Sequence, residues 1–291
     1  FPNSVEANPT SPSMDPKDPS RYHNFKGQAA GYHPLELLKK DKSTGTTKLL
    51  DWDGTVKLNL LPLLLNKEDR QTLTTQLTFA DHQYDNYNQW FRPSTSTLAI
   101  NAGREGEASQ DYSKTAIRTL EWVTNYANSF GNHNFKVMAG YSYQYEQYSG
   151  LNAANKDFPN DALEDNNLGS GTYAKDEGEL GMGSYKNDSK LISFFGRVSY
   201  DWKGRYMLTA SLRHEGSSKF GEHHKWGNFP AISAGWRISD EAFMAGTKSW
   251  LTDLKLRGDF GITGNQSFDS YRSLNTMSGF GYYLYNGKYY Q

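Results

Sequence analysis

The chain of 291 residues contains no cysteine, which excludes disulfide bonds, cysteine-ligated zinc sites and thiol catalysis. It also lacks an excess of either charge, since 31 Lys and Arg stand against 32 Asp and Glu. Such a balance gives no general electrostatic attraction to a polyanion, so we expect no nucleic-acid partner.

Long hydrophobic runs are missing as well. The longest, residues 58–65, contains Pro62 and falls far short of the roughly 20 apolar residues that a membrane helix needs. Aromatic residues are frequent, at 14% of the chain with 20 tyrosines, although hydrophobic residues make up only 36%. This combination is typical of a membrane β-barrel, because every second residue of its strands faces a polar interior.

Alternation of apolar and polar residues is the main structural signal. In residues 191–202 one face carries Ile192, Val198 and Trp202, and the pattern restarts after a tight turn at Lys203-Gly204. Together with the two strands on either side of this turn, the pattern predicts about nine antiparallel strands. They are residues 47–60, 73–79, 114–130, 134–146, 191–202, 206–215, 226–238, 254–263 and 280–285. Several reach the roughly 9–11 residues with which a barrel strand crosses a bilayer.

The predicted connections alternate in length. Short ones are expected at residues 61–70, 131–133, 203–205 and 239–249, and long ones at 86–112, 149–188, 216–225 and 264–279. An up-and-down transmembrane barrel has this parity, with short periplasmic turns and long extracellular loops. A Greek-key sandwich has no reason to keep it. A short helix is predicted only at Pro34–Lys40.

Several segments resemble one protein family, the SusC/RagA class of TonB-linked outer-membrane transporters. They are FGRVSY (195–200), GSSKFG (216–221), WGNFPAISAGWRIS (226–239) and GITGNQ (261–266). The similar segments extend from about residue 115 to 267, in the family's order.

The resemblance implies an all-β fold in which a barrel of about 22 strands surrounds an N-terminal plug. Residues 1–291 are then part of one barrel domain, without the plug and the C-terminal strands. It also implies active import across a Bacteroidetes outer membrane, driven through the TonB complex, with a SusD-like surface lipoprotein as a lid. The expected cargo is a glycan or oligosaccharide, with a peptide as the alternative, and no cofactor or enzymatic activity is expected.

Two sets of side chains are candidates for function. Aromatic residues near the strand ends on the apolar face are predicted to contact lipid at the membrane interfaces, with a sandwich core as the alternative. They are Trp122, Tyr143, Tyr145, Tyr200, Trp202, Tyr206, Trp226 and Trp236. Charged residues on the opposite face are predicted to face the lumen, where they either pair across strands or lie solvated in the interior, and direct contact with substrate or plug is less favoured. They are Arg197, Asp201, Arg213, Glu215, Lys255, Arg257 and Asp259.

Other polar groups are interpreted conservatively. Asp51 and Asp53 are predicted to form a turn rather than an acid–base pair. The adjacent His223 and His224 fit a solvated loop better than a metal site. The oxygen-rich residues 161–167 are interpreted as a polar surface loop, with calcium binding as the alternative.

Three other functions stay open on the sequence. The first is a passive porin or adhesin-like barrel, which shares the alternation. The second is a soluble β-sandwich that binds carbohydrate through its aromatic residues. The third is a β-rich glycosidase, although no GxSxG motif or catalytic triad can be nominated.

Overall fold

The computed structural model of the chain describes residues 12–24, 32–64, 71–176, 181–274, 283–286 and 288–290. Eight antiparallel strands form one sheet in chain order, which is an up-and-down arrangement. They are β1 (Lys42–Asn59), β2 (Gln71–Arg92), β3 (Glu107–Phe130), β4 (His133–Lys156), β5 (Met182–Trp202), β6 (Tyr206–Ser217), β7 (Trp226–Arg237) and β8 (Lys255–Gly261). A second sheet pairs β9 (Tyr283–Tyr285) with β10 (Lys288–Tyr290).

The helices are short. They are α1 (Pro34–Lys40), α2 (Leu61–Leu64), α3 (Thr97–Asn101) and α4 (Tyr173–Asp176). The predicted helix α1 is confirmed, and Pro34 suits its first turn because that position needs no backbone donor. Within the part of the chain that the structure describes, no helix combines the length and apolar character needed to span a bilayer.

Several strands extend further than the alternation predicted, although β8 is shorter than the predicted strand 254–263. β2 was expected to end at residue 79 and β4 at 146, but they end at Arg92 and Lys156. The added residues are mostly polar on both faces, so the apolar alternation fades while strand pairing still satisfies the backbone. The connections 93–106 and 157–181 are therefore shorter than the predicted loops 86–112 and 149–188.

Two other expectations differ from the structure. The connection after β7, residues 238–254, is longer than the one after β6, residues 218–225, so strict parity of short and long connections fails there. The predicted turn at Asp51 and Asp53 is wrong, because β1 runs through both residues. Of the predicted strand 280–285, residues 283–285 form β9 and residues 280–282 lie outside the described residues.

The tight turn after β5 is confirmed. Trp202 lies opposite Tyr206, and the turn between them has φ of 58° at Lys203 and 68° at Gly204. The Gly204 amide donates to the Asp201 carboxylate at 2.9 Å, which closes the turn. Glycine suits a residue held at positive φ, since it has no Cβ to clash.

The chain divides into two compact units. The first comprises Phe1–Asp51, His82–Ala116 and Gln147–Asn187, and contains a small core of Phe91, Ala108 and Phe158. The second comprises Trp52–Asp81, Ile117–Glu146 and Asp188–Gln291. Among the described residues of this second unit, Leu61 is the only buried hydrophobic residue. Its sheet therefore exposes apolar side chains that a sandwich would cover.

Candidate membrane-facing and lumen-facing surfaces

Strand register places the even-numbered residues of β5–β8 on one face, which we call the apolar face. Val198 lies opposite Ala210, which lies opposite Ile232, which in turn lies opposite Phe260. Directly opposed residues of antiparallel strands share a face of the sheet. The exposed fractions are 42% at Val198, 51% at Ile232 and 68% at Phe260. The stripe is thus uncovered by any described part of the chain.

The odd-numbered residues of β5–β8 form the opposite face, which we call the polar face. Across the sheet, Ser199 lies opposite Thr209, Thr209 opposite Ser233, and Ser233 opposite Asp259. Every predicted lumen-facing charge is on this face, since Arg197, Asp201, Arg213, Glu215, Lys255, Arg257 and Asp259 are all odd-numbered residues of β5, β6 or β8. The two faces therefore differ sharply in polarity.

Aromatic rings stack in a row at the end of the sheet that carries the 203–205 turn. Trp202 stacks on Tyr206 at 5.4 Å between ring centroids, and Tyr206 stacks on Trp236 at 6.4 Å. Phe243, from the connection after β7, meets Trp236 edge-on at 6.5 Å. We call these four residues the turn-end row.

A second row crosses the same face near the other end of these strands. Tyr141 contacts Phe194 at 5.2 Å, Phe194 stacks on Trp226 at 6.4 Å, and Trp226 stacks on His214 at 4.6 Å. The Trp226 ring lies on Gly216, where an added Cβ would come within 2.7 Å of it. Tyr141, Phe194, Trp226 and His214 are the loop-end row.

The distance between the rows matches a bilayer. They are separated by eight residues on β5, from Phe194 to Trp202, and by ten on β7, from Trp226 to Trp236. At about 3.3 Å per residue and a strand tilt of about 35–45°, this corresponds to roughly 19–27 Å along a barrel axis. Membrane barrels have an apolar band about 25 Å tall between aromatic girdles. Between the rows, no even-numbered residue of β5–β7 is charged.

The polar face contains a tight network at Ser193. The hydroxyl of Ser193 donates to the Glu215 carboxylate at 2.7 Å and accepts from Arg213 at 2.8 Å. Arg213 also donates to Glu215 at 2.6 Å, and its guanidinium lies 5.7 Å above the Phe195 ring. Phe195 in turn covers Gly140, where an added Cβ would lie 2.5 Å from the ring. One aromatic residue is thereby accommodated on the polar face.

Glu241 fixes the turn-end row. Its carboxylate accepts hydrogen bonds from the Tyr206 hydroxyl and from the Trp236 indole at 2.9 Å, and pairs with Arg205 at 2.9 Å. The bond from Tyr206, followed by that from Trp236, holds the pKa of Glu241 below its ordinary value. The carboxylate is therefore charged at neutral pH and ties the connection after β7 to the turn after β5.

The chain was compared with known proteins. No family model matches it. The TonB-dependent receptor P3 of Formosa agariphila is 34% identical over 188 residues, which is 65% of this chain and 18% of that protein. The TonB-dependent receptor SusC of Bacteroides thetaiotaomicron is 42% identical over 84 residues, 29% of this chain and 8% of SusC. A solved structure of the RagAB peptide transporter superposes with a TM-score of 0.70 at 17% identity, covering 91% of this chain and 27% of that chain.

The chain belongs to the SusC/RagA-type TonB-dependent receptors. The family resemblance of the sequence is thus confirmed. The chain spans about a fifth of the length of the P3 receptor, 18%. At 17% identity, the likeness to the RagAB transporter concerns the fold, and it agrees with the all-β, antiparallel architecture.

Within this receptor fold, the predicted interface aromatics take different positions. Trp202, Tyr206 and Trp236 lie in the turn-end row, and Trp226 lies in the loop-end row. Tyr200 lies next to the turn-end row, where its hydroxyl bonds His133 at 2.6 Å.

The other three predicted aromatics lie on β3 and β4. The Trp122 indole donates to the Thr75 hydroxyl at 2.7 Å, and the Trp122 side chain is half exposed. Tyr143 and Tyr145 are half-buried and lie two and four residues beyond Tyr141 of the loop-end row.

Four members of the two aromatic rows were not among the predicted interface residues. Phe194, Tyr141 and His214 share the alternating positions of the apolar face, so the period of two could have found them. Phe243 lies in an irregular connection, where no periodic signal exists.

The lumen-facing candidates separate into paired and unpaired groups. Arg213 and Glu215 pair with each other, Asp201 accepts from Asn134 at 2.9 Å, and Lys255 lies 3.0 Å from the Met207 sulfur. Arg197, Arg257 and Asp259 make no ion pair with any described residue. The set thus contains members with a partner and members without one among the described residues.

The oxygen-rich loop directs its carboxylates to separate protein groups. Asp161 accepts from the Ser94 amide at 3.0 Å and hydroxyl at 2.8 Å, and Glu164 pairs with Lys42. Asp165 accepts from Gln89 at 2.6 Å. Over the described ranges, no three His, Asp or Glu residues are grouped so as to hold a metal ion.

The adjacent histidines lie in the connection after β6. Both His223 and His224 are exposed there. Their position agrees with the solvated loop that the sequence favoured.

Proposed function

We propose that this chain forms part of the wall of an outer-membrane receptor barrel that imports a nutrient with energy delivered through TonB. The observation that carries the proposal is the uncovered apolar face, bounded by the turn-end and loop-end rows at a bilayer's spacing. The polar face behind it suits a hydrated lumen. Membership of the TonB-dependent receptors supports the energy source.

The two faces perform different tasks in this proposal. Apolar side chains such as Val198 and Ile232 contact lipid chains, while the aromatic rows lie at headgroup depth. The interface set comprises Trp122, Tyr143, Tyr145, Tyr200, Trp202, Tyr206, Trp226 and Trp236. On the lumen side, the network of Ser193, Arg213 and Glu215 stiffens the wall against the movement of a plug.

Residues on the polar face that lack an internal partner are the proposed contacts for a plug or cargo. Arg197, Arg257 and Asp259 meet this condition among the described residues. An unpaired charge is stable there because a water-filled lumen solvates it, whereas a buried position would require a partner. The pairing of Arg213 with Glu215 makes these two residues weaker candidates.

The cargo and partners complete the proposal. We take a glycan or oligosaccharide as the cargo and a peptide as the second candidate, with a SusD-like lipoprotein as the lid. The second candidate agrees with the RagAB transporter, which is described as a peptide importer. Residues 1–291 are taken as part of a single barrel domain, in the outer membrane of a Bacteroidetes cell.

Uptake by cells that contain or lack the intact receptor tests this function. Fluorescent oligosaccharides and peptides of matched size are supplied separately. We expect one class to enter only when the receptor is present, and entry to stop when a protonophore removes the energy source. Entry that persists without energy would indicate a passive pore and contradict the proposal. Co-purification from outer membranes tests the lipoprotein partner.

A further inference from the structure

The connection after β7 is longer than a hairpin requires. At the same end of the sheet, residues 131–132 and 203–205 are enough to join β3 to β4 and β5 to β6. Residues 238–254 instead form two 3₁₀ turns, Ile238–Asp240 and Ala242–Thr247. We call residues 242–250 the turn-end segment, and its additional length suggests a task beyond chain reversal.

This segment exposes large aromatic side chains. Phe243 is 68% exposed and Trp250 is 73% exposed, so no described residue covers them. Phe243 packs against Trp236 of the turn-end row, which places it on the lipid side of the wall in the proposed function. Phe243 therefore continues the apolar face beyond the strands, and Trp250 adds a second exposed ring to the same segment.

The segment is held against the wall. The amides of Ile238 and Ser239 donate to the Leu254 carbonyl at 2.8 Å and 3.2 Å, which closes the base of the connection. Glu241, immediately before the segment, is fixed by Tyr206, Trp236 and Arg205 as described above. Because Glu241 is held in place, Phe243, two residues later, is positioned at the level of the turn-end row.

The carboxylates next to the turn-end segment form ion pairs with arginines. Glu241 pairs with Arg205, and Asp240 and Asp253 pair with Arg237 at 4.0 Å and 3.5 Å. These pairs largely cancel the local negative charge.

Two lysines are left available at this end. Lys203 and Lys248 are exposed, and neither lies within ion-pair distance of a carboxylate in the described residues. The Lys203 ammonium lies 5.0 Å from the Trp202 ring centroid, where the aromatic row meets the turn. Exposed aromatics beside unpaired lysines fit the interface of an anionic bilayer, which takes the rings at headgroup depth and attracts the cations.

We infer that the turn-end segment, together with Lys203 of the turn after β5, is a membrane anchor. Phe243 and Trp250 enter the headgroup layer, and Lys248 and Lys203 contact anionic phospholipid. This inference rests on the proposed function, since the wall must cross a bilayer for the segment to reach one. It adds a lipid-binding surface outside the strands.

Depth-dependent quenching tests the anchor. Phe243→Cys is introduced into the intact receptor, in which any cysteine outside this chain has been replaced, and is labelled with an environment-sensitive dye. The receptor is reconstituted in phosphatidylethanolamine and phosphatidylglycerol vesicles containing lipids with a nitroxide near the headgroup or deep in the acyl chain. The matched controls are Val198→Cys, mid-face, and His223→Cys, in an exposed connection at the other end.

We expect the headgroup nitroxide to quench the dye at position 243 most strongly, the deep nitroxide to quench at 198, and neither to quench at 223. No quenching at 243 with deep quenching at 198 overturns the anchor and leaves the proposed function intact. No quenching at 198 overturns the proposed function itself. Heat-modifiable migration on gels checks that every variant is folded.

The lipid charge is tested in the same vesicles. Replacing phosphatidylglycerol by phosphatidylcholine is expected to weaken headgroup quenching at position 243, and Lys203→Gln with Lys248→Gln is expected to remove that dependence. Equal quenching in both lipid mixtures would contradict the assignment to anionic headgroups.

Discussion

A lysine in place of Ile232 should severely destabilise the receptor. Ile232 lies on the apolar face of β7, six residues from Trp226 and four from Trp236. At about 3.3 Å per residue and about 40° of tilt, it is roughly 10 Å inside the turn-end row, within the hydrocarbon of the proposed bilayer. Its side chain is 51% exposed, so a lysine there meets lipid rather than protein.

The depth of Ile232 in the proposed bilayer sets the loss of unfolding free energy expected for Ile232→Lys. A lysine facing lipid near the midplane of a membrane barrel costs about 2–4 kcal/mol, and the cost falls to about 0–1 kcal/mol near the interfaces. Ser233, the next residue, lies on the polar face opposite Thr209 and Asp259. A lysine at that position would face water and a carboxylate, so Ser233→Lys should change stability by no more than about 0.5 kcal/mol.

The assay is reversible urea unfolding of the intact receptor in lipid vesicles, followed by tryptophan fluorescence. We expect Ile232→Lys to lower the free energy of unfolding by about 2–4 kcal/mol and Ser233→Lys to leave it nearly unchanged. Equal effects at the two positions, or a larger effect at Ser233, would refute the assignment of the faces.

The other predictions concern packing and charge within the wall. Gly216→Ala should cost about 1–3 kcal/mol, because the new Cβ would lie 2.7 Å from the Trp226 ring, and an unchanged urea midpoint would contradict this contact. Glu215→Gln should cost about 1 kcal/mol in the same assay, since it removes the charged acceptor of Arg213 on a part-exposed network, whereas the change at an exposed loop glutamate should have no effect. Glu241→Gln should change the pH profile of stability. Because the pKa of Glu241 is lowered on folding, its contribution is present above the unfolded-state pKa and is lost as pH falls through the folded-state pKa. The wild type should therefore lose more stability than the variant between pH 7 and pH 3, and parallel profiles would exclude this role.

The sequence predicted the strands best where the two faces differ most in polarity. In the proposed membrane wall, hydrocarbon and water impose opposite requirements on successive residues between Ile192 and Trp202, which accounts for the strong alternation there. Beyond residue 79 in β2 and residue 146 in β4, polar residues occupy both faces. The sheet continues there because the backbone hydrogen-bonds to neighbouring strands, and such pairing leaves no alternating pattern in the sequence.

The candidate surfaces were predicted in part for the same reason. The charged residues of the polar face follow the period of two, and all of those on β5, β6 and β8 were found, whereas Arg237 at the end of β7 was not selected. Phe195 interrupts that period because its ring fits over Gly140, a contact between distant segments that no local pattern specifies. Phe243 escaped prediction because its position depends on the irregular connection held by Glu241.

The most direct test of the account is a cysteine scan of residues 228–236 in the intact receptor, embedded in its membrane. Each cysteine is exposed either to a water-soluble maleimide or, once dye-labelled, to a quencher confined to the acyl chains. We predict that positions 230, 232 and 234 respond only to the acyl-chain quencher and that positions 231, 233 and 235 respond only to the aqueous reagent. A scan without this alternation, with aqueous labelling at 232, would contradict a wall that separates lipid from lumen.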